Sequence, residues 1–101
     1  MRKVLITLAL LVITALPVLA TVGGGELTLK NEGGDVVFSH ERHVVELEQA
    51  CLACHPEPFT TIKQHKTVTM KAMETGASCG ACHNGTKAFS VKDDCTKCHT
   101  K

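Results

Sequence analysis

The six cysteines of this 101-residue chain fall into three pairs that share one local pattern. In each pair, two residues separate the cysteines, and a histidine directly follows the second cysteine. The three motifs are Cys51-Leu52-Ala53-Cys54-His55, Cys79-Gly80-Ala81-Cys82-His83 and Cys95-Thr96-Lys97-Cys98-His99. Two thiols at this spacing can form thioether bonds to the two vinyl groups along one edge of a porphyrin. The adjacent imidazole then lies under the iron as its proximal ligand. The pattern therefore predicts three covalently attached haem c groups.

Other uses of paired cysteines fit the pattern less well. A framework of three disulfides, the default for a small exported domain, does not require a histidine after each pair. A zinc site has no use for three histidines in the same register. A thioredoxin-like redox motif normally occurs once, beside a βαβ pattern that is not visible here. The favoured assignment is thioether attachment through Cys51, Cys54, Cys79, Cys82, Cys95 and Cys98, with the proximal iron ligands His55, His83 and His99.

Three further histidines lie outside the motifs and are candidates for the second axial site of each iron. Ser39 is suited to cap a helix that continues to about Gln49. On that helix His40 and His43 are three residues apart on neighbouring positions, so they could serve two haems lying close together. The alternative is a pair of solvent-facing histidines, but three irons that need ligands favour ligation. His65 lies in a polar run beside lysines, where a solvated side chain is the simpler interpretation.

The composition also points to a bulky cofactor. The hydrophobic fraction is 44 %, but much of it falls in the first twenty residues, and the chain has three Phe with no Trp or Tyr. The remaining apolar residues are too few for an ordinary core in a domain of this size. Three macrocycles would supply the missing apolar surface, so we expect folding to depend on haem. The formal net charge of +1 gives no sign of a nucleic-acid partner.

The first twenty residues have the layout of a secretory signal peptide. A basic start precedes an uncharged apolar run from Val4 to Leu16, and small or apolar residues up to Ala20 suit a signal peptidase. The run is short for a bilayer span, so cleavage after Ala20 is favoured over a retained membrane anchor. We therefore predict a signal peptide at 1–20, one domain at 21–101, and no stable membrane insertion after cleavage.

The rest of the chain predicts little regular structure. Alternating apolar and polar residues indicate a strand at Glu26–Lys30, and the β-prone run Val36–Phe38 follows a turn-forming cluster at 31–35. These segments predict a hairpin after a flexible lead-in at Gly23–Gly25. A short helix is expected between a Thr69 cap and Gly76. We predict a small, mostly irregular α+β fold, with an N-terminal β-hairpin and a few short helices wrapped around three covalent haems.

The order of these motifs resembles the triheme cytochrome c7 family, a shortened form of the multihaem class III cytochromes. The similar features are the Phe-Ser-His-x-x-His sequence from Phe38 to His43, then the three Cys-x-x-Cys-His motifs, with the last near the C-terminus. The most specific stretch runs from Val68 to Phe89, and the resemblance covers nearly all of residues 25–101. It implies three haems packed around a short β-hairpin and a few helices.

The resemblance also implies distal ligands for two of the haems. In the family, the first histidine of Phe-Ser-His-x-x-His binds the haem of the first motif, which pairs His40 with His55. The second histidine binds the haem of the middle motif, which pairs His43 with His83.

The haem at His99 has several candidate distal ligands. Many family members place a histidine where this chain has Thr75, so the chain departs from the family pattern there. Triheme domains with a similar Thr-Met-x-x-Met stretch can use methionine, which places Met70 first, His65 second and Met73 third. For the methionines the alternative role is packing against a haem face. Methionine ligation would raise the reduction potential of this haem relative to bis-histidine sites.

Three haems in so small a domain must lie near contact, so electrons can pass between them. If protein groups fill every axial position, no iron is open to a substrate, which favours a periplasmic electron carrier over an enzyme. The expected partners are membrane or periplasmic redox proteins, and we expect this protein to be a monomer. The alternatives are a small haem enzyme that reduces an oxyanion or peroxide at an open iron, and a subunit of a larger multihaem conduit. The lysines that would shape docking, beside the haem propionates, are Lys87, Lys92, Lys97 and Lys101.

Overall fold

The computed structural model describes residues 20–101. The expected signal peptide therefore lies almost wholly outside the described residues, and its cleavage stays a prediction. Within the described range, no helix is long and apolar enough to cross a membrane.

A three-stranded antiparallel sheet is the main regular element. Strand β1 (Glu26–Leu29) pairs with β2 (Asp35–Ser39), and Leu27 lies opposite Phe38. Along β1 the two leucines are half-buried and the two polar residues are exposed, as the alternation in the sequence predicts. The hairpin is confirmed, with strand ends that differ from the predicted ones by one residue.

A third strand joins the C-terminus to this hairpin. Strand β3 (His99–Thr100) pairs with β2 in the order β1-β2-β3, and His99 lies opposite Val36. Two residues are too short to show the alternation that marks a strand, so the sequence analysis missed it. The pairing ties the last Cys-x-x-Cys-His motif to the N-terminal hairpin.

The predicted helix after Ser39 forms, but it is shorter than expected and wound as a π-helical turn over Glu41–Glu46. The Ser39 hydroxyl accepts a hydrogen bond from the Arg42 amide at 3.1 Å, as expected of a capping residue. The turn ends early, because Glu48 has a φ of 54°, a left-handed conformation that does not continue a helix.

Helix α1 (Met70–Glu74) and four 3₁₀ turns, the first of them at Val22–Gly24, complete the regular structure of the described chain. The Thr69 hydroxyl accepts from the Ala72 amide at 3.2 Å and caps α1, as predicted. The other three 3₁₀ turns coincide with the three cysteine motifs, at Cys51–Ala53, Ser78–Ala81 and Cys95–Lys97.

Residues 20–101 lack a hydrophobic core, since no hydrophobic side chain in this range is buried. Leu52 is 84 % exposed and Ile62 is 54 % exposed. Fully burying such a side chain would contribute about 1.5–3 kcal/mol, and the polypeptide alone gains little of this. The observation agrees with the expectation that a cofactor supplies the apolar interior.

Gly80 is the one buried residue in the part of the chain that the structure describes. A Cβ atom at this position would overlap the backbone of Met73, with the Met73 carbonyl carbon 2.7 Å away. Glycine in the middle motif thus lets the motif pack directly against α1.

We predict that Gly80→Ala destabilises the haem-loaded protein by about 1–3 kcal/mol, because the added methyl group forces the middle motif away from α1. Leu52→Ala is the matched control, since both variants have the motif Cys-Ala-Ala-Cys-His and Leu52 is exposed. Thermal unfolding followed at the Soret band measures the effect. Equal unfolding midpoints for the two variants would contradict the prediction.

Candidate haem sites

Each Cys-x-x-Cys-His motif is folded into a tight turn that brings its two cysteines together. In each turn the amide of the second cysteine donates to the carbonyl of the first, at 3.2–3.3 Å. In the last motif, Asp94 caps the turn by accepting from the Thr96 amide at 2.9 Å. Hydrogen bonds from the Thr96 side chain and backbone also lower the pKa of Asp94. The local backbone therefore presents the paired thiols that thioether attachment requires.

All six cysteines are free in the structure. Within the described residues, no group of three or more His, Cys, Asp or Glu side chains comes together as a metal-ion site. Neither a disulfide framework nor a zinc site is therefore formed by these residues, and the thiols are available for covalent attachment.

The three motifs are close enough for their thiols to interact. The pKa of Cys54 is raised by burial and then by the charge of Cys82, from the middle motif. The pKa of Cys98 is raised by burial and then by the charge of Cys79, also from the middle motif. One cysteine of the middle motif thus lies near a cysteine of each of the other two motifs.

Five of the six histidine side chains have the same hydrogen bond. In each, the ring Nδ1 lies 2.8–3.0 Å from a backbone carbonyl oxygen, which can only accept, so the proton is placed on Nδ1. This tautomer leaves the Nε2 lone pair free for a metal, and histidine ligands commonly have such a partner on the other ring nitrogen. The ring and carbonyl pairs are His40 with Gly25, His43 with Ser39, His55 with Phe59, His83 with Phe89, and His99 with Gly34.

These five histidines are the ones that the sequence analysis selected as proximal and distal ligands. His65 differs, because its side chain makes no hydrogen bond within the described residues. It is exposed and lines a cavity of about 280 Å³ with Phe59 and Val68. The structure thus orients five imidazoles and leaves His65 without a comparable support.

Two imidazoles that the family resemblance assigns to one haem lie near each other. The ring centroids of His43 and His83 are 6.3 Å apart, with an interplanar angle of 72°. Phe38 stacks on His43 at 4.5 Å and meets His40 edge-on at 5.0 Å. Phe38 thus packs against both histidines that were predicted as distal ligands.

Phe89 supports His83, the predicted proximal ligand of the middle motif. Its ring lies 4.5 Å from the His83 ring, and its carbonyl oxygen accepts the His83 Nδ1–H bond. The Lys97 ammonium lies over the face of the Phe89 ring, 4.7 Å from the ring centroid. His83 also lines a cavity of about 560 Å³, together with Met73 and Gly80.

The two candidate methionines on α1 have different surroundings. Met70, at the start of α1, is 39 % exposed. Met73 is half-buried and lies against Gly80 of the middle motif. Met70 is thus the more exposed of the two residues.

Sequence reasoning missed the backbone groups that orient the imidazoles. The accepting carbonyls belong to residues whose type does not matter for the bond, so no residue pattern marks them. The donor set as a whole nevertheless fits haem c: paired free thiols, imidazoles with a free Nε2, and apolar surface that the polypeptide leaves uncovered.

The chain was compared with known proteins. The model of the family described as cytochrome c7 and related cytochrome c matches residues 36–100. A solved c7-type three-haem cytochrome domain is 43 % identical with a TM-score of 0.67, covering 74 % of this chain and 91 % of that chain. A dodecahaem cytochrome c, GSU1996, is 41 % identical with a TM-score of 0.71, covering 87 % of this chain and 26 % of that chain.

A C-terminal hexahaem fragment of the same dodecahaem protein is 45 % identical with a TM-score of 0.67, covering 76 % of this chain and 48 % of the fragment. The chain therefore spans about a quarter of the dodecahaem protein and about half of the fragment. No curated protein matches it. The family match covers more than half of the sequence and includes all three cysteine motifs, so the chain belongs to the cytochrome c7 and related cytochrome c family and is a c7-type, haem c-binding electron-transfer domain.

Proposed function

We propose that this chain is a periplasmic electron carrier with three covalent haem c groups, each bound by two protein ligands. The observation that carries the proposal is the set of five histidines whose Nδ1–H groups are bonded to backbone carbonyls. Bound haem supplies one-electron chemistry at its iron, and the protein orients the ligands and tunes the potential.

Attachment uses the cysteine pairs of the three turns. The thioether positions are Cys51, Cys54, Cys79, Cys82, Cys95 and Cys98, and the proximal ligands are His55, His83 and His99. The three-haem count is supported by the similarity to a c7-type three-haem domain over 74 % of this chain.

His40 and His43 are the distal ligands of the first and middle haems. Two metal–imidazole bonds of about 2 Å on opposite sides of one metal put the ring centroids roughly 6 Å apart. The observed separation of 6.3 Å between His43 and His83 agrees with that arrangement. The pairing of His40 with His55 rests on the family pattern and on the free Nε2 atoms of both rings.

Met70 is the distal ligand of the haem at His99. The greater exposure of Met70 favours it over Met73, whose backbone packs against Gly80 of the middle motif. The absence of an Nδ1–H bond on His65 within the described residues places that histidine last. In this proposal Met73 therefore comes before His65, the reverse of the order predicted from the sequence.

Filled axial sites favour a carrier over an enzyme, because no iron then has an open position for a substrate. The spacing of the motifs supports rapid transfer within the domain, since thiols of the middle motif lie near thiols of both other motifs. Haems held by these neighbouring motifs would lie close enough to exchange electrons.

Redox proteins of the membrane or periplasm are the partners that this function requires. The exported location rests on the sequence of residues 1–20, and no nucleic acid has a role. Lys97, together with Lys87, Lys92 and Lys101, places positive charge on exposed positions near the last two motifs. We propose transient docking of a monomer through this side of the domain.

A second candidate is a role as one module of a larger multihaem conduit. The observation that favours it is the match to about a quarter of a dodecahaem cytochrome. Sedimentation of the native haem protein distinguishes a monomer from a stable assembly.

We predict that all three haems of the purified protein are low-spin in the ferric state and that the reduced protein does not bind carbon monoxide. His43→Ala should convert one haem to a high-spin form that binds carbon monoxide, because its distal ligand is lost. His65→Ala is the matched control and should leave both properties unchanged. Electron paramagnetic resonance and absorption spectroscopy measure the outcome.

High-spin haem in the unsubstituted protein would favour the haem-enzyme alternative. A response to His65→Ala with none to His43→Ala would contradict the ligand assignment.

We predict that the ferric protein shows the weak red absorption band of methionine sulfur bound to ferric haem. Met70→Leu should abolish the band and alter the potential of one haem, whereas Met73→Leu should preserve it, because leucine keeps nearly the same volume but lacks sulfur. Loss of the band in Met73→Leu alone would transfer the role to Met73. Absence of the band from the unsubstituted protein would reject methionine ligation.

A further inference from the structure

The three consecutive glycines before β1 form an ordered turn. A 3₁₀ turn spans Val22–Gly24, and the Gly25 amide donates to the Val22 carbonyl at 3.0 Å. The sequence analysis did not predict this turn, and its expectation that the segment is flexible stays a prediction. Gly23, Gly24 and Gly25 have φ angles of 60°, 84° and 81°, which residues with side chains rarely adopt. The turn lies outside the family match at residues 36–100.

The backbone at Gly23 lies against the imidazole of His40. A Cβ atom on Gly23 would be 2.6 Å from His40 Cγ and 2.7 Å from His40 Nε2, closer than real Cβ atoms approach other groups. The contact involves the rigid ring, so a side chain at Gly23 could fit only if the imidazole moved.

Gly25 holds the opposite nitrogen of the same ring. Its carbonyl oxygen accepts from His40 Nδ1 at 2.9 Å and also faces the His40 amide at 3.4 Å. The ring is therefore restrained by a hydrogen bond at Nδ1 and by backbone contact near Nε2. Among the five Nδ1–H bonds, this one has an acceptor that precedes β1.

We propose that Gly23 and Gly25 are positioning residues that clamp the His40 imidazole and set its orientation as an iron ligand. The inference rests on the proposed role of His40 as a distal haem ligand. The contact at Gly23 fixes the plane of the ring, and the hydrogen bond to Gly25 fixes its tautomer and strengthens its basicity. Ring orientation and basicity both affect the electronic structure and potential of a ligated haem.

The test compares Gly23→Ala with Gly24→Ala in the full haem-loaded protein. Both substitutions place a methyl group on a residue with positive φ, but nothing lies within 4 Å of a Cβ on Gly24. Gly24→Ala therefore reproduces the backbone strain without the contact to His40. The readouts are the electron paramagnetic resonance g-values and the reduction potential of each haem.

Gly23→Ala should change the g-values and potential of one haem and leave the other two as they are, whereas Gly24→Ala should leave all three unchanged. Equal spectra for the two variants would overturn the proposal. If His40 is not a ligand at all, His40→Ala will also leave every haem low-spin, which separates failure of the proposed function from failure of the clamp.

A second variant covers the case in which Gly23→Ala does not accumulate. Deletion of Thr21–Gly24 removes the contact without introducing a clash. We expect this deletion to change the g-values and the reduction potential of the first haem relative to Gly24→Ala, because the imidazole loses its backbone contact. Values that match those of Gly24→Ala would overturn the clamp.

Discussion

The hydrogen bond from imidazole Nδ1–H to a backbone carbonyl is the interaction on which the rest of this structure depends. It occurs at five histidines, with distances of 2.8–3.0 Å. Each bond fixes a ring relative to a turn or strand and leaves Nε2 free. The backbone conformation therefore determines the direction in which Nε2 points. The small sheet matters for the same reason, because His99, the proposed proximal ligand of the last motif, lies in β3 and is bonded to Gly34, beside β2.

The described part of the chain has the hydrogen-bonded backbone of a folded domain but no hydrophobic core. Its backbone is organised by turns, caps and a short sheet, yet no hydrophobic side chain at 20–101 is buried. Three porphyrins would cover these exposed side chains and would anchor each turn by covalent and coordinate bonds. The same groups would then serve as core and as redox centres, which explains how a domain of this size can carry an electron-transfer function.

Much of the organisation could be predicted from the sequence because it depends on residue type. The cysteine motifs, the Thr69 cap and the hairpin all have local signatures, and the structure reproduces the last two. Other features arise from backbone geometry. Strand β3 is too short to show alternation, and the turn after His40 ends before Glu48, whose backbone has a left-handed conformation. The glycine segment before β1 forms a 3₁₀ turn. The ring-to-carbonyl bonds escaped prediction because any residue can supply a carbonyl.

The central claim is that haem takes the place of a hydrophobic core. The most direct measurement compares amide ¹H–¹⁵N correlation spectra of the haem-loaded protein with those of the same chain, produced without its leader, lacking haem and kept reduced. We predict dispersed resonances for the loaded protein and narrow, collapsed dispersion for the haem-free chain, since the polypeptide alone buries too little apolar surface to fold. A haem-free chain with the dispersed spectrum of a folded domain would contradict the account.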